Sequence, residues 1–254
     1  MSTNTMHIVA VTTSLSEDST TLKLTDRVLA SAASAGESVS IDVTTDVINV
    51  RNLATAITDM TLTGFRSEAL ESAFATIAAA DAIVTVAPVY KAAPVGLHTL
   101  FWQLIDDKAL SRKPVLIGST GGTARHSLAG DAVLRPMLSY LKGIIVPTTV
   151  FAATDDWGTV EGGRALTARI RQAGEELVSL TATIIGAGND DLAEVAREWV
   201  DEDSVIVASD LNAALMKAID LANSVDAKSP GIVVTGSIYT VAEARLLLGR
   251  GEER

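Results

Sequence analysis

Short apolar runs alternate with longer stretches of 3.6-residue apolar spacing along most of this chain. The run "MHIVAV" (6–11) predicts a first strand. Residues 19–35 keep their apolar side chains on one helical face, with Ser19 suited to cap the start and Gly36 to follow the end. "SVSIDVTTD" (38–46) predicts a second strand, and residues 66–79 a second helix. "AIVTVAPVY" (82–90) predicts a third strand, stopped at Pro88, which has no N–H to donate. "VGLHTLFWQLID" (95–106) has helical spacing, and Pro94 suits an early helical position. "KPVLIGST" (113–120) predicts a fourth strand, residues 128–141 a helix, "IIVPTTVFAAT" (144–154) a fifth strand and residues 163–184 a closing helix. Five strands alternating with five helices predict an α/β fold: a doubly wound five-stranded parallel sheet with right-handed crossovers.

This unit ends near residue 185. "GAGNDD" (186–191) is small, polar and turn-prone and predicts a linker. Beyond it the pattern predicts a helix (191–200), a strand "SVIVAS" (204–209), a helix (210–222), a strand "IVVTGS" (232–237) and a helix (240–248). Residues 186–254 thus form a small α/β C-terminal extension, too small for an independent core. It is expected to dock on the first unit or on another subunit, with Trp199 as its anchor.

Composition narrows the partners. A 48% hydrophobic share with only 4% aromatics predicts a core of Ala, Val, Leu and Ile, as buried parallel strands require. The formal charge of −11 repels nucleic-acid phosphates and anionic membrane surfaces, so neither is an expected partner. With no cysteine, thiolate catalysis, disulfides and Cys-based metal sites are excluded. His7, His98 and His126 lack metal-ligand spacing. No apolar run approaches about 18 residues and no leader pattern stands at the N-terminus, so a soluble cytoplasmic protein is expected.

In a doubly wound sheet, ligands bind beyond the C-terminal strand ends, so the loops after strands one, three and four carry the candidate chemistry. The first holds Thr12, Thr13, Ser14, Ser16, Ser19 and Thr20 within nine positions, with no glycine. Such a run is open to two readings: an ordinary Ser/Thr turn with an N-cap, or a cradle for a phosphate. A helix N-terminus with neutral hydroxyl donors suits a terminal phosphate monoester. The glycine pattern of dinucleotide sites is missing, as is the P-loop lysine. A mononucleotide such as FMN fits best. In the second loop, "APVYKAAPVG" (87–96), Val89 and Tyr90 face the sheet edge. There the backbone could lie against a planar heterocycle. Lys91 is either a solvated charge or a neighbour of a nicotinamide nucleotide phosphate. In the third, "STGGTARHS" (119–127), Gly121 and Gly122 allow positive φ, and Thr120 and Thr123 add hydroxyls. Arg125 supplies a cation, and His126 is either a proton donor or a capping group. Trp102 reads as core, and Trp157 as a cover for the site or a subunit contact.

Together these loops, with "TTSLSEDSTT" (12–21), "APVYKAAPVGLHTLFWQL" (87–104), "GSTGGTARHSL" (118–128) and "FAATDDWG" (151–158), resemble the NADPH-dependent FMN reductase family of flavodoxin-like fold. The resemblance spans residues 6 to about 184 and is greatest to the reductases that serve luciferase-like or sulfonate monooxygenases. It implies reduction of FMN by NAD(P)H, release of reduced flavin to a partner monooxygenase, and a homodimer or homotetramer. By position it implies that Ser14, Ser16, Ser19 and Thr20 hold the phosphate. Pro88, Val89, Tyr90 and Lys91 would flank the isoalloxazine, and Thr120, Gly121, Gly122 and Thr123 its other edge. No catalytic side chain is assigned, because hydride transfer to a flavin needs no protein base. Where many relatives place Gly-Ser and an arginine in the first loop, this chain has Thr13-Ser14 and acidic Glu17-Asp18. The alternative activity is an FMN-bound quinone or azo reductase, and the alternative of another class an electron carrier. "GIVVTGSIYTVAEARLLLG" (231–249) resembles the C-terminal end of folylpolyglutamate synthases, whose P-loop is missing, and no ligase activity is inferred.

Overall fold

Alternate residues of the first strand feed two different cores. In β1 (Asn4–Thr12), Met6, Ile8 and Ala10 are buried in one apolar cluster, and Val9 and Val11 in another. A strand apolar on both faces belongs inside a parallel sheet. This is a computed structural model that describes residues 4–16, 19–197 and 216–220. The chain divides into two units, Met1–Ile184 and Ile185–Arg254, and the sheet belongs to the first.

β1 lies between β2 (Ile41–Asn49) and β3 (Ala82–Tyr90), and β3 pairs in turn with β5 (Pro114–Gly121), all in parallel. The fifth strand comes in two pieces, β6 (Ile144–Ile145) and β7 (Val150–Ala153), each parallel to β5. The order β2-β1-β3-β5-β6, with β7 continuing the last strand, is that of a flavodoxin-like doubly wound sheet. Pro147 sits in the gap of the last strand, where it can give no ladder hydrogen bond, so 144–154 is not one continuous strand.

One face of the sheet is covered by α1 (Thr20–Ser38) and by residues 166–182 of α7 (Val160–Arg197), the helix that follows the short α6 (Thr154–Gly158). The other is covered by α2 (Ala54–Thr63), α3 (Glu68–Ala79), α4 (Gly96–Leu104) and α5 (Arg135–Tyr140). The sequence pattern predicts neither α2 nor the 3₁₀ turn Val50–Leu53 before it. Only Ile57 of α2 is fully buried, and one buried position leaves no periodic signal. The Glu176 carboxylate of α7 holds the gap in the fifth strand, accepting from the Thr148 N–H and Oγ1, both at 2.8 Å. Desolvation pushes that carboxyl up, but these bonds and one from Gln172 outweigh it, and its pKa falls below the ordinary value.

Several local expectations are corrected. Gly36 does not end α1 but lies buried inside it. A Cβ there would stand 2.4 Å from Val43 Cγ2 and 2.9 Å from the Ile41 carbonyl oxygen, so glycine serves close helix–strand packing. Pro88 does not stop β3, which runs on to Tyr90; the ring costs the strand one donor, and its carbonyl still accepts from Val95 N–H at 2.9 Å. Pro94 is not helical. It belongs to β4 (Ala93–Pro94), which turns back antiparallel on Val89 and Tyr90 before α4 begins. The predicted linker 186–191 is helical, because α7 continues through it to Arg197. Two helical glycines cost about 1 kcal/mol each, whereas stopping would mean nucleating anew for the helix-forming "LAEVAR" that follows. Residues 216–220 are helical, within the expected helix 210–222. The expected strands 204–209 and 232–237, the helix 240–248, the synthase-like stretch 231–249 and Trp199 lie outside the described residues. No helix among the described residues is long and apolar enough to cross a membrane.

Candidate functional site

The C-terminal ends of β1, β3 and β5 and the residue after β7 open on one cleft of about 470 Å³, the size range of small-ligand sites. It lies at the β1/β3 switch point, where the chain leaves the two strands toward opposite faces of the sheet.

The first wall is hydroxyl-rich. Ser16, Ser19, Thr20 and Thr21 line it together with Leu15. Ser19 is the N-cap of α1: its Oγ accepts the Thr21 N–H at 3.2 Å, which leaves its own proton to give. The positive end of α1 therefore meets the cleft, and no acidic residue stands in the first turn to cancel it. Thr21 Oγ1 lies 2.8 Å from Thr120 Oγ1, a bond that staples this helix to the end of β5 under the cleft. Ser14 does not line the cleft. It is buried, and its Oγ donates to the Ser16 carbonyl at 2.5 Å, so it shapes the loop from within. Glu17 and Asp18 lie outside the described residues.

The second wall is apolar. Pro88 and Val89 are buried, and Tyr90, 57% exposed, stands at the rim beside Lys91. Lys91 and Ala92 form a two-residue hairpin between β3 and β4 with φ of 51° and 65°. Both sit in the left-handed region that favours glycine, so the rim carries backbone strain. Sequence reading places no positive φ here and allows it instead at Gly121 and Gly122, along with close backbone approach. Neither glycine adopts it: Gly64 is the one glycine among the described residues with positive φ. Their role is space. A Cβ on Gly121 would meet Phe151 Cζ at 3.0 Å, and on Gly122 it would meet nothing within 4 Å. Gly122 therefore leaves bare backbone facing the cleft.

The third wall holds Thr120, Gly121 and Gly122 with His126, and Thr154 closes the far side. Thr123, an expected member, does not line it, because it is exposed ahead of the 3₁₀ turn Ala124–His126. Arg125 is exposed on that turn. His126 Nδ1 is buried with no protein hydrogen-bond partner. Trp157 covers no part of the cleft; it packs on the α1–α7 side with Arg27 over its ring at 5.4 Å. Leu15, Thr21, His126 and Thr154 are lining residues that the expected set omits. Thr154 follows the fifth strand, whose end is as much a ligand edge as the other three.

Among the described residues, no Asp or Glu lines the cleft, and Lys91 is its permanent charge, in a chain of net charge −11. An anion with a flat apolar body fits such a site: neutral donors and a helix terminus at one end, apolar side chains and bare backbone at the other. FMN has both parts, and the lining residues fit it.

Residues 6–158 match the family model described as NADPH-dependent FMN reductase. The chain is 33% identical over 176 residues to an NADH-dependent FMN reductase, SfnE, of Pseudomonas putida, covering 69% of this chain and 92% of that protein. It is 33% identical over 179 residues to an FMN reductase (NADPH) of Pseudomonas aeruginosa, covering 70% and 94%. The X-ray structure of an oxidoreductase from Corynebacterium diphtheriae, 33% identical, superposes with a TM-score of 0.68 over 71% of this chain and 98% of that one.

Proposed function

The chain belongs to the NADPH-dependent FMN reductase family, and from that premise we propose that it is an NAD(P)H:FMN oxidoreductase that binds FMN in the cleft at the β1/β3 switch point. The observation that carries the reading is the lining itself: hydroxyls and the α1 N-terminus at one end, apolar side chains at the other, and no carboxylate among the described residues.

In this reading Ser16, Ser19 and Thr20 hold the phosphate with the first turn of α1, and Ser14 shapes their loop from behind. Pro88, Val89, Tyr90 and Lys91 flank the isoalloxazine, and Thr120, Gly121 and Gly122 line its other edge, with Thr123 just outside. Bound FMN supplies the ring that accepts hydride from NAD(P)H. The protein's part is to orient and to exclude water. Uncharged donors hold a dianion without neutralising it, which suits a flavin that is taken up and released rather than kept. The apolar wall keeps water from one face of the ring. No side chain is assigned as acid or base.

The similar reductases are named for NADH in one case and NADPH in another, so the reductant is written NAD(P)H. Reduced flavin would pass to a flavin-dependent monooxygenase, and the reading includes a cytoplasmic homodimer or homotetramer. The test is NAD(P)H oxidation at rising FMN. The rate is expected to depend on added FMN and to saturate with it. A rate indifferent to FMN would remove the reading.

A further inference from the structure

His98 is a fully buried imidazole that the reading above leaves without a task. It stands on α4, at the meeting point of three elements. Its Nδ1 lies 2.8 Å from Thr13 Oγ1, at the exit of β1. Its Nε2 lies 2.8 Å from Thr85 Oγ1 in β3. Trp102 Nε1, one turn along α4, lies 3.1 Å from Thr85 Oγ1 and 3.3 Å from His98 Nε2. The indole N–H can only donate, and it faces both Thr85 Oγ1 and His98 Nε2. We assign the hydrogen to Nδ1, which keeps it clear of the indole hydrogen and leaves Nε2 to accept. Thr85 accepts from Trp102 and donates to Nε2, and Nδ1–H donates to Thr13. Burial depresses the imidazole pKa to about 3, which keeps the ring neutral at ordinary pH.

The two ends of this chain of bonds reach the two walls of the cleft. Thr13 begins the hydroxyl loop. Its N–H is tied to the Val86 carbonyl at 3.2 Å, and the next N–H, of Ser14, to Asn49 Oδ1 at 3.2 Å. Leu15 and Ser16, which follow, line the cleft. At the other end, the His98 N–H donates to the Val95 carbonyl at 2.9 Å, and the Val95 N–H to the Pro88 carbonyl at 2.9 Å, so α4 is anchored to the apolar wall.

We propose that His98 is a positioning residue, a strut that sets the hydroxyl loop at a fixed distance from the apolar wall and so places the phosphate cradle relative to the ring site. The proposal rests on FMN being the ligand. Its signature is selective. A flavin without a phosphate uses the apolar wall alone and does not sense the strut, whereas FMN must satisfy both ends at once.

The test compares equilibrium affinities for FMN and riboflavin, read by flavin fluorescence, in the full chain and in H98L, H98N, T13V and T13S. Thermal unfolding of each checks that it is folded. The wild type is expected to favour FMN. H98L and T13V are expected to lower FMN affinity about tenfold, the scale of one lost buried hydrogen bond, and to leave riboflavin affinity within about twofold. T13S keeps the hydroxyl and should keep the FMN preference. H98N can present an amide N–H in place of Nδ1–H and should recover part of it. If H98L does not fold, T13V, nearly isosteric and breaking the same bond, decides alone. A folded T13V with an unchanged FMN-to-riboflavin ratio overturns the strut. A wild type that holds riboflavin as tightly as FMN overturns the reading of the cleft beneath it.

Discussion

A neutral imidazole in a protein core makes stability depend on pH. The unfolded chain binds a proton on His98 below about 6.5, and the folded chain refuses it until about 3. Because the folded pKa lies below the unfolded one, this stabilisation is complete above 6.5. It is lost as pH falls, by at most about 1.4 kcal/mol per pH unit. Between pH 7 and pH 5, the wild type should therefore lose about 2 kcal/mol more unfolding free energy than H98N, in denaturant titrations at the two values. Equal losses would mean that the imidazole is not held neutral. The sequence shows the hydroxyl run of the first loop plainly, since Ser16, Ser19 and Thr20 follow a strand and precede a helix. It does not show that Ser14 turns inward, nor that His98 meets Thr13. That pair is 85 residues apart, and no local pattern encodes a bond across such a distance.

The elements that were legible are those whose burial is periodic. β1, β3 and β5 are apolar on both faces, α1 and α3 on one, and the parallel pairing of the strands follows from their alternation with helices. α2 and the division of the last strand at Pro147 leave no such trace. The hairpin between β3 and β4 was illegible for a different reason. A two-residue turn with positive φ at both positions normally advertises itself with Asn-Gly or Gly-Gly, and here Lys91 and Ala92 hold it. Tertiary contacts on either side outweigh the local preference. Replacing Ala92 with Gly should relieve the strain and raise stability by about 1 kcal/mol, read as a higher denaturant midpoint. An unchanged or lower midpoint would mean that the left-handed conformation costs nothing here.

At the scale of the whole molecule, an acidic chain leaves the mouth of its parallel sheet without a carboxylate among its described residues. The cleft is assembled from four segments more than a hundred residues apart at the extremes, between Leu15 and Thr154. Each segment lies at or just past the C-terminal end of a strand, so the strand ends mark the cleft along the chain. What cannot be read from the string is which hydroxyls face outward. If the start of α1 receives the phosphate of FMN, equilibrium titration of FMN into T20E beside the wild type will show it. A carboxylate at that position would stand against the dianion and should weaken binding at least about a hundredfold, through charge repulsion at short range. Wild-type affinity in T20E would mean that the phosphate lies elsewhere.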